Sequence, residues 1–205
     1  MAEKEKTVKL RGVKFVNSTI STAKAEFVAG MHTLPAAIQQ AIGDNATFLD
    51  HSIYAVKRTN NASSLELFQD SDTKQEGVCN LNGAKLNAGE YFMLTGIRLM
   101  AANYSTETVG AEYFQSIRDL GIDIANGELE IKANSKPVTS KLSCRVFATS
   151  YEGGAKALDG YYRLESPKLI AAQVPITATL RLNPTVSHGD YMLRIELMGV
   201  ITARA

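Results

Sequence analysis

The alternation of apolar and polar residues near the end of this chain constrains its fold more than any other feature. Residues alternate from Ile176 to Leu182 and again from Tyr191 to Leu197, and Asn183-Pro184 interrupts the pattern. Successive side chains of a β-strand point to opposite faces, so a period of two predicts strands that bury one face. We therefore expect two strands in the wall of a β-sandwich, joined by a loop over Asn183–Asp190 at one end of it.

Similar segments recur along the chain. We predict a strand at 52–58, another in the apolar run Tyr91–Met100, and a hairpin whose type I′ turn is Asn126-Gly127. Two short helices are expected, over Pro35–Ile42 and over Ser105–Leu120 with Tyr113 on its apolar face. About eight to ten strands without a βαβ rhythm predict a mainly β protein, an antiparallel β-sandwich. Helices confined to loops favour a single jelly roll.

Length and composition fit one domain. The chain has 205 residues, of which 45% are hydrophobic and 21% charged, close to the average of globular proteins. No apolar run approaches the roughly 18 to 20 residues of a membrane-spanning helix, and the N-terminus lacks the apolar core of a secretory signal. We divide the chain into an N-terminal arm, residues 1–24, and a single β-sandwich domain, residues 25–205. In a reducing cytoplasm Cys79 and Cys144 are expected to be free, partly buried thiols.

The N-terminal arm is basic. It holds six basic and two acidic side chains, a net charge of +4, although the whole chain carries only +1. This excess predicts contacts with nucleic acid or a neighbouring subunit. The residues proposed for these contacts are Lys4, Lys6, Lys9, Arg11 and Lys14. A solvated terminus is the alternative, because the arm lacks the dense arginine of a strong phosphate binder.

The histidines do not form a pattern typical of catalysis. His32, His51 and His188 stand singly, and the chain has no Gly-x-Ser-x-Gly motif. His188 lies in the predicted loop between the last two strands, where we expect it to be solvated. We predict that the protein is not an enzyme and that it has no cofactor.

The carboxylates do not indicate a metal site or a glycosidase. Asp70 and Asp72 start like a calcium loop, but Lys74 stands where a ligand is needed, so we predict an acidic surface loop. Glu128 and Glu130 alternate with apolar residues, which predicts the solvent face of a half-buried strand instead of a catalytic pair.

Two segments are apolar on both faces, Tyr91–Met100 and Leu193–Val200. Surplus apolar surface implies burial against a second layer or against a partner. In the last strand, alternation assigns Leu193, Ile195 and Leu197 to the core. The opposite face of the strand holds, for the most part, Met192, Met198 and Val200. We predict that these three residues lie at a subunit interface.

Four segments together resemble the jelly-roll structural proteins of bacterial viruses, across roughly residues 50–202. They are YFMLTGIRLM, GELEIKANSK, SPKLIAAQVPITATLRL and YMLRIELMGV. The resemblance implies a capsid (coat) or accessory virion subunit that self-assembles into symmetric homo-oligomers, with no catalytic residues. It implies copies of itself and other virion proteins as partners, synthesis in the host cytoplasm and a final location in the virion.

A carbohydrate- or ligand-binding β-sandwich is the alternative function. Such a module needs an exposed aromatic cluster. The candidate cluster in this chain is Tyr161-Tyr162 together with Tyr151.

Overall fold

In the computed structural model the chain forms two antiparallel sheets that pack face to face. The structure describes residues 47–104, 113–120, 122–148, 150–151, 158–185 and 188–203, together with Ala36 and Gln39, which are both helical. The strands within these ranges are β1 (Thr47–Arg58), β2 (Ser64–Glu66), β3 (Phe92–Asn103), β4 (Gln115–Ser116), β5 (Glu128–Ala133), β6 (Lys136–Ser143), β7 (Ser150–Tyr151), β8 (Leu158–Asp159), β9 (Tyr161–Ile170), β10 (Ile176–Arg181) and β11 (Tyr191–Ala203). The helices are α1 (Ile117–Leu120), α2 (Ile122–Ala125) and a 3-10 helix over Cys144–Phe147.

The strand order is that of a jelly roll. The first sheet runs β1-β11-β3, and β9 and the short β4 both pair with the far edge of β3. The second sheet runs β2-β10-β5-β6, and β7 with β8 forms a separate ribbon. If the eight strands other than β4, β7 and β8 are counted in chain order, the sheets read 1-8-3-6 and 2-7-4-5, which are the two interleaved Greek keys of a jelly roll. The predicted antiparallel sandwich with a single roll is confirmed.

The last two long strands lie in opposite sheets. β10 belongs to the second sheet and β11 to the first, and the loop between them crosses one end of the sandwich. Their alternating apolar side chains face the shared interior, because every second position is buried. The interior positions on these strands are Ile176, Ala178, Leu180, Leu193, Ile195 and Leu197.

Parts of the first sheet are buried on both faces within one chain. Met93 and Met100 in β3 alternate with core residues and therefore point away from the interior, yet both are buried. On the same outer face Val56, Ala102 and Met192 form a second apolar cluster. The apolar run at Tyr91–Met100 is thus buried on both sides, which is one of the two outcomes that its composition allows.

The hairpin turn between β5 and β6 differs from the prediction. The turn residues are Asn134 and Ser135, whose φ angles of 51° and 62° are those of a type I′ turn. Asn126-Gly127 instead connects α2 to β5, so its assignment as the turn is wrong. Gly127 favours close packing there, because a Cβ atom would lie 2.9 Å from the backbone carbonyl oxygen of Arg181.

The helix predicted over Ser105–Leu120 is wrong over residues 113–116, which are half of its described part. Tyr113 precedes the short strand β4 and is 85% exposed, and helix begins only at Ile117. Pairing of β4 with the end of β3 replaces the helix there. Two further predictions concern residues that are not described. The arm at 1–24 lies outside the described residues, and so does the helix predicted over Pro35–Ile42 except for Ala36 and Gln39. Every helix in the described ranges is too short to cross a membrane.

Candidate functional site

Polar side chains from three connections meet at one end of the sandwich. The connections are the loop after β1, the segment with α1 and α2, and the β10–β11 loop, of which residues 183–185 and 188–190 are described. Antiparallel pairing of β1, β11 and β3 brings the end of β1 and the end of β3 beside the start of β11. We call this group the loop-end cluster; it consists of Arg58, Thr59, Asp123, His188 and Asp190.

Arg58 attaches the β10–β11 loop to the end of β1. Its Nε donates to both carboxylate oxygens of Asp190, at 3.0 and 2.9 Å, and its Nη2 contacts Oδ2. The guanidinium also lies 3.6 Å from the centre of the Tyr104 ring. The hydrogen bond from Arg58 lowers the pKa of Asp190 below its ordinary value. Because the ion pair is solvent-exposed, we expect it to orient the loop more than to stabilise the fold.

Thr59 joins the same two segments through its backbone and its hydroxyl. Its N–H donates to the carbonyl of Tyr191 at 2.8 Å. The hydroxyl donates to the Gly189 carbonyl at 3.1 Å and accepts from the Tyr191 N–H at 2.9 Å. Because Thr59 is buried, each of these groups is satisfied inside the protein.

His188 is buried, and the expectation that it is solvated is wrong. Its side chain is 3% exposed, because α2 supplies Asp123 against it. Nε2 lies 2.7 Å from the carbonyl oxygen of Asn183, and a carbonyl only accepts, so Nε2 carries a proton. Nδ1 lies 3.5 Å from Asp123 Oδ2 and is buried without a hydrogen-bond partner. Asp123 Oδ2 also accepts the N–H of Gly189 at 3.2 Å.

The loop-end cluster links neighbouring loops through hydrogen bonds and has the geometry of a structural contact. The His188 side chain is 3% exposed and its Nδ1 faces Asp123, so the ring presents no accessible base to a substrate. The carboxylate of Asp190 accepts hydrogen bonds from the guanidinium of Arg58, so it is also not free to act on a substrate. What the cluster does chemically is to hold three connections together through charged and polar contacts.

The two cysteines are free and buried. Burial raises the pKa of Cys144 to about 12 and also raises the pKa of Cys79. Both thiols are therefore kept protonated, which disfavours nucleophilic chemistry at either position.

The predicted acidic loop is only partly on the surface. Asp70 is exposed, whereas the Asp72 side chain is 7% exposed and forms an ion pair with Lys57. The second Asp72 oxygen accepts the backbone N–H of Gln69 at 2.9 Å. Asp70 is thus exposed as predicted, whereas the side chain of Asp72 turns inward to Lys57, a residue of a distant strand that the local sequence does not reveal. Among the described residues no group of three metal-ligating side chains occurs.

Glu128 and Glu130 lie on the outer face of the second sheet, as predicted. Glu128 is exposed, and Glu130 Oε2 lies 3.0 Å from Lys132 Nζ and 3.1 Å from Arg181 Nη1. Hydrogen bonds from Lys132 and then Arg181 lower the pKa of Glu130. This carboxylate is therefore neutralised by cross-strand and same-strand partners.

The residues predicted at a subunit interface occupy the outer face of β11. Met192 is 2% exposed and lies in the cluster covered by Val78, Tyr104 and Phe114. Val200 is 0% exposed, whereas Met198 is half-buried. The interface stays a prediction, and within a single chain Met198 is the one of the three that keeps accessible surface. Lys4, Lys6, Lys9, Arg11 and Lys14 of the arm lie outside the described residues.

Tyr161 and Tyr162 point to opposite faces of β9. Tyr162 packs against the interior with its ring 6.1 Å from that of Phe147. Tyr161 lies on the outer face, close against Gly96 of β3. The two rings therefore do not form one platform for a ligand, and the side chain of Tyr151 lies outside the described residues.

Comparison with known proteins finds no match for this chain among family models, curated proteins or solved structures.

Proposed function

We propose that this chain is a structural subunit of a virus particle, a coat or accessory virion protein that self-assembles into symmetric oligomers. The observation that carries the proposal is the complete jelly roll, with strand order 1-8-3-6 in one sheet and 2-7-4-5 in the other. Viral capsid proteins use this architecture, and so do lectins and cupins. The sequence resemblance over roughly residues 50–202 points to the first of these uses.

The filling of the interior supports a structural role over a cupin-like one. A ligand site inside the roll requires a cavity with a few polar side chains on the inner faces of the strands. Here the facing inner positions of the two sheets are aliphatic and buried, among them Ile97 and Ile195 in the first sheet and Leu129 in the second. A ligand between the sheets would have to displace this packed core.

The opposed orientation of Tyr161 and Tyr162 supports assembly over a lectin-like role. Aromatic rings that bind a ligand together have to be presented on one accessible surface. Tyr162 is used for packing against the interior, whereas Tyr161 lies on the opposite face of the same strand. The ligand-binding alternative therefore loses the aromatic pair on which it rested.

The sheet edges indicate how subunits would meet. β6 is the last strand of its sheet and carries Pro137 and Lys141, and β2 at the opposite edge has only three residues. Along β1, Asn80 Oδ1 accepts the Tyr54 N–H at 2.8 Å and Asn80 Nδ2 donates to the Ser52 carbonyl at 2.7 Å. These features oppose edge-to-edge strand pairing. We therefore propose that subunits meet through loops and sheet faces.

The test of the proposal is the mass of the purified full chain. We expect discrete oligomers in mass photometry and regular particles or rings in negative-stain microscopy. Leu49 and Tyr113 are the large apolar side chains that stand exposed in the described part of the chain, at 49% and 85%. Changing both to serine is expected to weaken association about tenfold or more, since association would bury them. The matched control is Thr177→Ser on the exposed polar face of the second sheet, which should leave the oligomer unchanged. A strict monomer at high concentration would refute the proposed function.

The arm is proposed to contact nucleic acid or a neighbouring subunit through its basic residues. Deleting residues 1–24 should lower nucleic-acid retention in a salt-dependent way if the arm meets a phosphate backbone. Loss of oligomers without any change in nucleic-acid retention would instead assign the arm to subunit contacts.

A further inference from the structure

Nδ1 of His188 is a buried polar atom that faces a carboxylate without bonding to it. The distance to Asp123 Oδ2 is 3.5 Å, and the other ring nitrogen already gives its proton to the Asn183 carbonyl. In the neutral ring Nδ1 then holds a lone pair, so two acceptors face each other in a buried place. One additional proton turns this contact into a charge-assisted hydrogen bond.

We propose that His188 and Asp123 form a proton-dependent latch, which ties His188 and Gly189 to α2 when the pair holds a shared proton and loosens them when it is lost. The test below compares the protein at about pH 5.5 and at about pH 8.5. The latch goes beyond the proposed function and does not depend on it, because all of its parts lie within one chain.

Asp123 couples the proton to the backbone of the loop. Its Oδ2 faces His188 Nδ1 and also accepts the Gly189 N–H at 3.2 Å. The helix and the loop are thus joined at one oxygen. When the proton leaves, the lone pair of Nδ1 repels the same carboxylate that holds Gly189, so the backbone contact weakens with it.

The other charged and titratable groups around the latch keep their state across this range. Burial, and then the charge of Asp123, raises the pKa of the Tyr191 phenol, which lies against Gly189 and stays protonated. Asp190, two residues beyond His188, has its pKa lowered by Arg58 and stays ionised. Neither Tyr191 nor Asp190 therefore supplies the proton of the latch.

Nitrogen-15 spectroscopy of the imidazole in the full-length wild-type chain tests the latch without any substitution. At about pH 5.5 both ring nitrogens of His188 should give protonated-type signals, and at about pH 8.5 Nδ1 should give the signal of a lone pair. The hydrogen-exchange protection factor of the Gly189 amide should fall about tenfold or more over the same interval. A neutral Nδ1 at about pH 5.5, or a Gly189 protection factor that does not change, would overturn the proposal.

Two variants distinguish the latch from general pH effects. His188→Gln should abolish the pH dependence of Gly189 protection, because glutamine does not titrate. The matched control is His51→Gln in β1, which removes a second, half-buried imidazole that packs on the Phe92 ring and should leave the dependence intact. Persistence of the dependence in His188→Gln, or its loss in His51→Gln, contradicts the proposal.

Discussion

Gly199 in β11 offers a prediction whose size follows from the geometry of one bulge. The pairing of β11 with β3 shifts between Met198 and Gly199. A Cβ atom at Gly199 would lie 1.9 Å from the carbonyl oxygen of Met93, whereas ordinary contact begins near 3.4 Å. The two central strands of the first sheet would therefore have to separate by roughly 1.5 Å to admit Gly199→Ala.

The expected loss of stability is the sum of two effects. Overpacking in a close-packed site costs about 1–3 kcal/mol. Separating the strands also weakens one or two ladder hydrogen bonds, each of which contributes roughly 0.5–1.5 kcal/mol. We expect Gly199→Ala to lower the free energy of unfolding by about 1.5–6 kcal/mol, a large part of the ~5–15 kcal/mol typical of a domain.

Urea denaturation at constant pH measures this loss, and Gly96→Ala is its matched control. A Cβ atom at Gly96 would also be close to its neighbour, at 2.2 Å, but that neighbour is the phenol oxygen of Tyr161. A side chain can turn away where a backbone carbonyl cannot, so the control should lose only about 1 kcal/mol. Equal losses in the two variants, or a larger loss in Gly96→Ala, would refute the argument that a rigid backbone contact decides the cost.

Three further outcomes are expected. Ser135→Gly should raise the free energy of unfolding by about 0.5 kcal/mol, because the type I′ turn holds Ser135 at a φ of 62°; a lower melting temperature would contradict this. Cys144 should resist a thiol reagent at about pH 8 while the protein is folded, as its thiol stays protonated. Since the folded pKa of Cys144 is raised to about 12 from 9.0, its contribution to stability is present below pH 9.0 and is lost as pH rises towards 12. Unfolding measured above pH 9.0 should show that loss, and Cys144→Ala should reduce it. Asp190→Asn should destabilise the protein at neutral pH, and the difference from wild type should vanish as pH falls well below 3.8, because the folded pKa of Asp190 is lowered. A difference that persists in strong acid would exclude the Arg58–Asp190 pair as its cause.

Local patterns predict the strands and their faces well. The alternation of Glu128 and Glu130 with two apolar residues predicts an outer face for the carboxylates, and Leu129 and Ile131 between and after them are buried. The turn between β5 and β6 lies elsewhere than predicted, although Asn126-Gly127 is the stronger turn signal by composition. Gly127 fits there because of its close approach to the backbone of Arg181, a residue that is distant in sequence.

The loop-end cluster could not be predicted from sequence, because the contacts that join its three connections are between residues far apart in the chain. Arg58 and Asp190 are 132 positions apart, and Gly189 and Asp123 are 66 apart. The alternation of residues within one strand does not indicate which distant residues form such a pair. In the sequence His188 therefore has the setting of an ordinary loop histidine, and only the packing of α2 shows it to be buried.

By itself, the sequence determined that this chain is mainly β, where most of its long strands lie and which face of β10 and β11 is apolar. Those properties depend on the side-chain period of a single strand, which neighbouring residues establish. Only the tertiary structure decided that β10 and β11 belong to opposite sheets, that part of the outer face of the first sheet is buried and that His188 meets Asp123. These properties depend on how the chain crosses from one sheet to the other, and hence on contacts between segments that are distant in sequence.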